Sequence, residues 1–169
     1  MRRAIFLDAG VMIAVAACGT GRAGQGAPAA PEFSTGGITV STAFIPSPAG
    51  DSPAALYFTI ANHASVPDTL LSVSTAAAEQ AGMHREVMHG ASMTMAPVAA
   101  LPIPAGGVVR FAPGGYHVML TGLRRRLAPG DSAAVTLEFR HAGQLPIRAR
   151  VVSYAELERA LGTTASSGR

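Results

Sequence analysis

The stretch "VVRFAPGGYHVMLTGL", residues 108–123, contains two short apolar segments separated by Pro113-Gly114-Gly115. Gly and Pro in this arrangement mark a turn, and short segments rich in β-branched and aromatic residues are typical of strands. Successive side chains of a strand point to opposite faces. The apolar side chains of the second strand share one face: Tyr116, Val118 and Leu120. His117 and Met119 therefore lie together on the other face, which we expect to be the non-core face.

The same pattern of short strands between turns continues over most of the chain. The predicted strands are 38–45, 54–62, 68–75, 79–88, 93–98, 108–112, 116–123, 133–139 and 145–153. Such spacing is typical of an antiparallel β-sandwich or barrel, and 169 residues suit one domain. We therefore predict an all-β domain over residues 37–153, followed over 154–169 by a short helix, "AELERAL", and a disordered tail.

The first 18 residues have the features of a secretory signal peptide. Arg2-Arg3 precedes the apolar segment "AIFLDAGVMIAVAAC", which is too short to span a membrane. Its end, Val15–Cys18, resembles the lipobox of bacterial lipoproteins, in which the cysteine becomes the lipidated first residue. An ordinary signal peptide with an incidental cysteine is the alternative. We expect export to the periplasm or cell envelope.

Residues 19–36 are rich in Gly, Ala and Pro, which predicts a flexible tether between a lipid anchor and the domain. Gly19, where some sorting signals have Asp, favours the outer membrane by resemblance to lipoprotein sorting signals.

Charge and cysteine content exclude several classes of function. The net charge is +3, and the basic run Arg124–Arg126 has no interleaved aromatic residues, so we interpret it as a solvated loop and expect no nucleic-acid partner. Cys18 is the single cysteine. If it is lipidated or removed, the mature domain has no disulfide, no thiolate zinc site and no His-Cys-Met blue-copper centre.

Methionine and histidine are concentrated between positions 83 and 119. The residues are Met83, His84, Met88, His89, Met93, Met95, His117 and Met119. Thioethers are soft ligands, and a site of thioethers and imidazoles suits Cu(I) better than zinc, magnesium or calcium. Methionine is also a common core gap-filler, which is the alternative interpretation. The pairing with histidine and the predicted non-core position of Met119 count against packing.

Four of these residues follow the spacing H-x10-M-x21-H-x-M: His84, Met95, His117 and Met119. Positions 85–94 supply the ten residues and positions 96–116 the twenty-one. This spacing resembles the copper motif of the PCuAC family, the periplasmic copper chaperones for cytochrome c oxidase. Flanking segments over about 38–152 resemble the family in order and spacing.

The resemblance implies a cupredoxin-like β-sandwich that binds one Cu(I) per chain near its surface. The implied ligands are His84, Met95, His117 and Met119. It also implies transfer of copper toward the binuclear centre of cytochrome c oxidase subunit II, with a Sco-type thiol protein as a partner in the same pathway. Met93 shares the predicted face of Met95 and is a candidate for loading or shuttling copper. Loop or core packing is the favoured interpretation for Met83, Met88 and Met93.

Three other functions stay open at this point. Copper storage or resistance would use the same site, and a metal-free structural lipoprotein would explain the strands and the tether but not the spacing. An enzyme is the third. We expect no enzymatic activity because the sequence has no Gly-x-Ser-x-Gly elbow and its carboxylates are scattered singly.

Overall fold

The computed structural model describes residues 32–50, 52–90 and 92–165. Its elements, in chain order, are β1 (Phe33–Thr35), β2 (Ile38–Pro46), β3 (Ala54–Asn62), β4 (Asp68–Thr75), β5 (Ala78–His89), β6 (Ser92–Pro97), β7 (Leu101–Ile103), β8 (Val108–Phe111), β9 (Tyr116–Leu123), β10 (Ser132–Phe139), β11 (Gly143–Val152) and α1 (Tyr154–Ala165). The predicted signal peptide, with Cys18, and the first part of the predicted tether lie outside the described residues.

The strands form one mixed sheet, in which most pairings are antiparallel, as expected for the predicted antiparallel sandwich, and a few are parallel. Their order is β6-β5-β9-β8-β3-β2-β11-β10-β4-β7, with β1 paired to β2 and a further pairing of β9 with β3. Two pairings are parallel, β2 with β11 and β8 with β9. β2 and β11 come from opposite ends of the domain, so no tight turn between them requires an antiparallel pairing. The parallel pairing of β8 with β9 is limited to Phe111 and Tyr116.

One hydrophobic core lies between the folded halves of this sheet. Met83 of β5 and Ile103 of β7 come from opposite ends of the strand order, yet both belong to the same buried cluster. Residues so far apart in a sheet meet only if the sheet folds over on itself. The predicted β-sandwich is therefore confirmed, and the core interpretation of Met83, which is 7% exposed, is confirmed with it.

The folded domain begins earlier than predicted. Phe33 pairs with Val40 across the two-residue turn Gly36-Gly37, whose φ values are 52° and 82°. Two consecutive residues with positive φ form the tight turn that best fits the twist of a hairpin, and Gly adopts it without strain. Strand β1 thus belongs to the sheet, although we had assigned these residues to the tether. Strand β7 was also not predicted, because it has three residues and contains Pro102.

Helix α1 follows the last strand and packs on the outer face of the sheet. Its Leu157 is buried in a second cluster with Phe44, Tyr57 and Val152. The helix continues through Ala165, so the first residues of the predicted disordered tail, 162–165, are helical. Within the described residues, no helix has the length and apolar character needed to cross a membrane.

Candidate metal centre

The register of β5 and β9 brings the two predicted histidine ligands together. His84 lies directly opposite His117, and Gly82 lies directly opposite Met119. Residues directly opposite each other in an antiparallel pair have their side chains on the same face. The two imidazole rings are stacked, with centroids 5.9 Å apart and an interplanar angle of 22°. One face of the sheet therefore presents both imidazoles and the Met119 thioether.

Strand β6 adds the fourth predicted residue to this face. Met95 lies opposite Glu86, two residues beyond His84 on β5. His84 is therefore directly opposite His117 and diagonal to both Met95 and Met119. Diagonal neighbours are about 7–8 Å apart, within reach of long side chains. The register thus brings all four predicted ligands onto three adjacent strands, with His84 at the centre.

The imidazole of His84 folds back over Gly82. Its Nδ1 lies 3.1 Å from the Gly82 carbonyl oxygen, and a Cβ atom on Gly82 would come within 3.1 Å of the ring atom Cε1. A carbonyl oxygen can only accept a hydrogen bond, so Nδ1 is the donor. In the neutral ring, Nε2 then presents its lone pair, as a metal-binding histidine does when its other nitrogen is held by the backbone.

His117 is a buried imidazole without a hydrogen bond. It is 2% exposed, and neither of its ring nitrogens has a hydrogen-bond partner among the described residues. The closest carboxylate oxygen, Oε1 of Glu86, is 3.8 Å from Nδ1, which is beyond hydrogen-bond distance. An unpartnered buried polar group costs about 1–3 kcal/mol, and such groups are rare. A metal ion bound by one ring nitrogen of His117 would give that nitrogen a partner.

The burial of His117 corrects our expectation of an exposed, non-core face. Ala55 of β3 lies opposite Met119 on this face and packs against the second hydrophobic cluster, which contains Tyr57 and Leu157. Because this cluster covers one side of the face, His117 is buried and Met119 is half-buried, whereas Met95 at the other side is 50% exposed. The site therefore has a buried side and an open side.

One carboxylate lies beside the proposed ligands. The side chain of Glu86 is 16% exposed and shares the face of His84 and Met95. Burial raises the pKa of Tyr57, and the nearby charge of Glu86 raises it further, as does Tyr154. Sequence reasoning missed both Glu86 and Gly82. The available signal was strand parity, because both lie two residues from His84 and so share its face.

The donors on this face are imidazole and thioether groups, with Glu86 nearby. Within the described ranges, no group of three or more His, Cys, Asp or Glu side chains is arranged to hold a metal ion. Two imidazoles with two thioethers form a donor set that suits Cu(I). The residue types and their placement on one face therefore fit the metal that the spacing implied.

Comparison with known families gives a match over most of the described domain. The family model "Putative lipoprotein LpqE-like" matches residues 38–151. A relative, "Putative lipoprotein Lxx21020" of Leifsonia xyli subsp. xyli (strain CTCB07), is 30% identical over 120 residues, which covers 70% of this chain and 72% of the relative.

Solved structures of PCuAC domains have the same fold. The copper-bound PCuAC domain from PmoF2 is 31% identical with a TM-score of 0.63, and the match covers 73% of this chain and 98% of that one. The Cu(I) form of DR1885 from Deinococcus radiodurans is 29% identical with a TM-score of 0.52, over 78% of this chain and 83% of that one. The predicted cupredoxin-like fold and the resemblance to PCuAC domains are thus confirmed.

Proposed function

The chain belongs to the LpqE-like lipoprotein family, and on this premise we propose that it is an exported chaperone that binds one Cu(I) and delivers it. The proposed ligands are His84, Met95, His117 and Met119. The observation that carries the proposal is the buried His117, whose two ring nitrogens have no hydrogen-bond partner although His84 lies directly opposite. The copper-bound state of PmoF2 and the Cu(I) form of DR1885, both similar to this chain, support copper as the metal.

The uneven exposure of the ligands suits transfer of the metal. Cu(I) would be held on the buried side by His117 and on the open side by Met95, which is 50% exposed. A recipient must place its own ligands on the metal while the donor still holds it. Exchange of the Met95 thioether for a recipient ligand would begin this process, and no change of oxidation state is needed.

The ligand set is tested by single replacements in the purified domain. We expect His117→Ala and Met119→Leu each to weaken Cu(I) binding by more than about 100-fold, because replacing even an outer-shell residue costs 10–100-fold. Affinity is measured by competition with a chromophoric Cu(I) chelator. Met83→Leu is the matched control, since Met83 is a core residue on the other face. Wild-type affinity in a variant lacking all four ligands would overturn the proposal.

Delivery to cytochrome c oxidase, with a Sco-type thiol protein in the same pathway, is the proposed destination. Storage or resistance would use the same copper site as delivery. Growth in limiting copper distinguishes delivery from these two functions. Loss of oxidase activity in cells without the protein, restored by the wild type but not by His117→Ala, is the result expected for delivery. Normal oxidase activity with lowered tolerance of excess copper would favour storage. We propose no catalytic role, so the copper-loaded protein should not turn over oxygen, a phenol or peroxide.

We further propose that the chain is lipid-anchored through Cys18 at the outer membrane. The lipoprotein descriptions of its family and of its relative support an anchor. Labelling of cells with a radioactive fatty acid, followed by membrane fractionation, tests it. The wild type should be labelled and sediment with outer membranes, and Cys18→Ser should be unlabelled. A fatty-acid label retained in Cys18→Ser would contradict this part of the proposal.

A further inference from the structure

The far end of the β5–β6 hairpin carries two methionines outside the four proposed ligands, one of which, Met93, is the sequence-based candidate for loading copper. Met88 and Met93 lie directly opposite each other and are 63% and 56% exposed. Of the six large hydrophobic side chains that are exposed among the described residues, three are methionines of this hairpin. Our favoured interpretation for Met88 and Met93 is loop or core packing. Their exposure contradicts core packing, and both lie on strands rather than in a loop, so their exposure needs another reason.

Strand parity places this pair on the same face as the candidate metal centre. Met88 lies two residues beyond Glu86 on β5, and Met93 lies two residues before Met95 on β6. The opposite pair Met88–Met93 is therefore followed along the hairpin by Glu86–Met95, and then by His84. A continuous row of thioethers leads from the end of the hairpin to the central histidine.

The geometry allows two or three sulfur atoms to meet on one ion. Side chains directly opposite each other have Cβ atoms about 4.5–5.5 Å apart, and methionine has three rotatable bonds and a polarizable sulfur. Met95 is the diagonal neighbour of Met88 and shares a strand face with Met93. The donors of the Met88–Met93 pair are thioethers, which select soft monovalent ions, Cu(I) and Ag(I); the one carboxylate of this row, Glu86, lies opposite Met95.

We propose that Met88 and Met93 form a second soft-metal site at the end of the hairpin and that Met95 links this site to the histidine site. With the histidine site empty, Met95 completes a three-thioether site. An ion then moves by ligand exchange, in which Met95 stays bound while His84 and His117 replace Met88 and Met93. With both sites filled, Met95 belongs to the histidine site and the outer ion is held by two thioethers, so it binds more weakly.

Metal binding at this outer site is tested by titration with Ag(I), followed through the methionine ε-methyl resonances. In the wild type, we expect two equivalents to bind, with the Met88 and Met93 signals shifting during the weaker second step. Met88→Leu/Met93→Leu should lose one equivalent, since leucine keeps the apolar volume without the sulfur. Met83→Leu is the control and should keep both. Unmoved Met88 and Met93 signals at excess Ag(I) overturn the second site.

The double variant His84→Ala/His117→Ala distinguishes the second site from the proposed histidine site. Only the transfer of an ion from the second site to the histidine site rests on the proposed function. If the outer site exists, Ag(I) still shifts the Met88 and Met93 signals of this variant. The Met95 signal shifts with them, and all three move at the first equivalent of Ag(I). The opposite outcome is that the double variant still binds the first Ag(I) as tightly as the wild type, and that its Met88 and Met93 signals shift only in the second step. That outcome would refute the histidine site and leave the second site standing.

The loading role has its own measurement. The rate of Cu(I) uptake from a chelator complex should fall several-fold in Met88→Leu/Met93→Leu, while the affinity of the histidine site stays unchanged. Equal uptake rates in wild type and variant would overturn the loading role.

Discussion

At the scale of single residues, Gly82 determines where the His84 imidazole lies. The ring occupies the space that a side chain at position 82 would take, and its Nδ1 donates to the Gly82 carbonyl oxygen. Met119 lies directly opposite this glycine. The absence of a side chain therefore makes room between two proposed ligands, and a methyl group there would disturb the site without strain in the backbone, because the φ of Gly82 is not positive.

We expect Gly82→Ala to weaken Cu(I) binding by about 10–100-fold, the range found when an outer-shell group that orients a ligand is changed. The Cβ atom would meet Cε1 of His84 at 3.1 Å and displace the ring. Chelator competition measures the affinity, and thermal unfolding should show no loss of stability. Gly162→Ala is the matched control, since nothing lies within 4 Å of that position. Unchanged affinity in Gly82→Ala would show that the ring position does not matter.

The spacing in the sequence names four candidate ligands, whose metal binding stays a prediction, but it does not give their surroundings. Their fixed spacing can be read directly, whereas the contact of His84 with Gly82 and the position of Glu86 beside His117 depend on strand register and side-chain rotamer. The burial of His117 was missed for a different reason. Parity states which side chains share a face, but it does not state that Phe44, Tyr57 and α1 pack on that face.

At the scale of elements, α1 is fixed at its start by two features of its first turn. The Ser153 backbone N–H and hydroxyl both donate to Oε2 of Glu156 at 2.8 Å, and the Glu156 N–H donates to the Ser153 hydroxyl at 3.3 Å. These bonds form a capping box and lower the pKa of Glu156. Val152 before the cap and Leu157 after it share one buried cluster, as in a hydrophobic staple.

We expect Ser153→Ala to destabilise α1 by about 1 kcal/mol, the usual cost of losing a serine cap. Hydrogen exchange of the α1 amides should accelerate, while exchange in β5 and β9 stays as in the wild type. Ser153→Asn, which keeps a capping oxygen, should largely preserve protection. Equal protection of α1 in Ser153→Ala and wild type would contradict a stabilising role of the cap.

At the scale of the whole molecule, Asp68 links two segments that are distant in sequence, the start of β4 and the turn between β10 and β11. This buried carboxylate at the start of β4 accepts backbone N–H groups of Thr69, His141 and Ala142 at 2.7–2.9 Å. Burial alone would raise the pKa of Asp68, but the N–H donors outweigh it and the pKa is lowered. A carboxyl whose folded pKa is lowered stabilises the fold above its unfolded pKa, about 3.9. That stabilisation is lost as the pH falls through the folded pKa.

We therefore expect the wild-type domain to lose stability as the pH falls below about 4. Asp68→Asn should be less stable at pH 7, because one acceptor oxygen and the charge are lost, and its stability should fall less steeply in acid. Urea unfolding at a series of pH values measures both. Glu138→Gln is the control, since the hydrogen bond that its carboxylate accepts from the Ser72 hydroxyl is exposed to solvent. Parallel pH profiles for wild type and Asp68→Asn would contradict the prediction.

The all-β class follows from sequence because nine strands are long enough to show a pattern between Gly and Pro turns. Strands β1 and β7 have three residues each and show none. The Gly36-Gly37 turn was a usable hairpin signal for β1. The pairing of β2 with β11 was not predictable, because no local signal connects segments so far apart in the chain.

That pairing also sets when the protein can fold. Residues Phe44–Pro46 of β2 pair with Arg150–Val152 of β11, and this contact connects the two halves of the strand order. Contacts between such distant segments form slowly. A growing chain cannot make this contact before residue 152 has left the ribosome. We propose that this protein is exported. The delay would keep the chain unfolded while it passes through a secretion channel, and the sandwich would form after export.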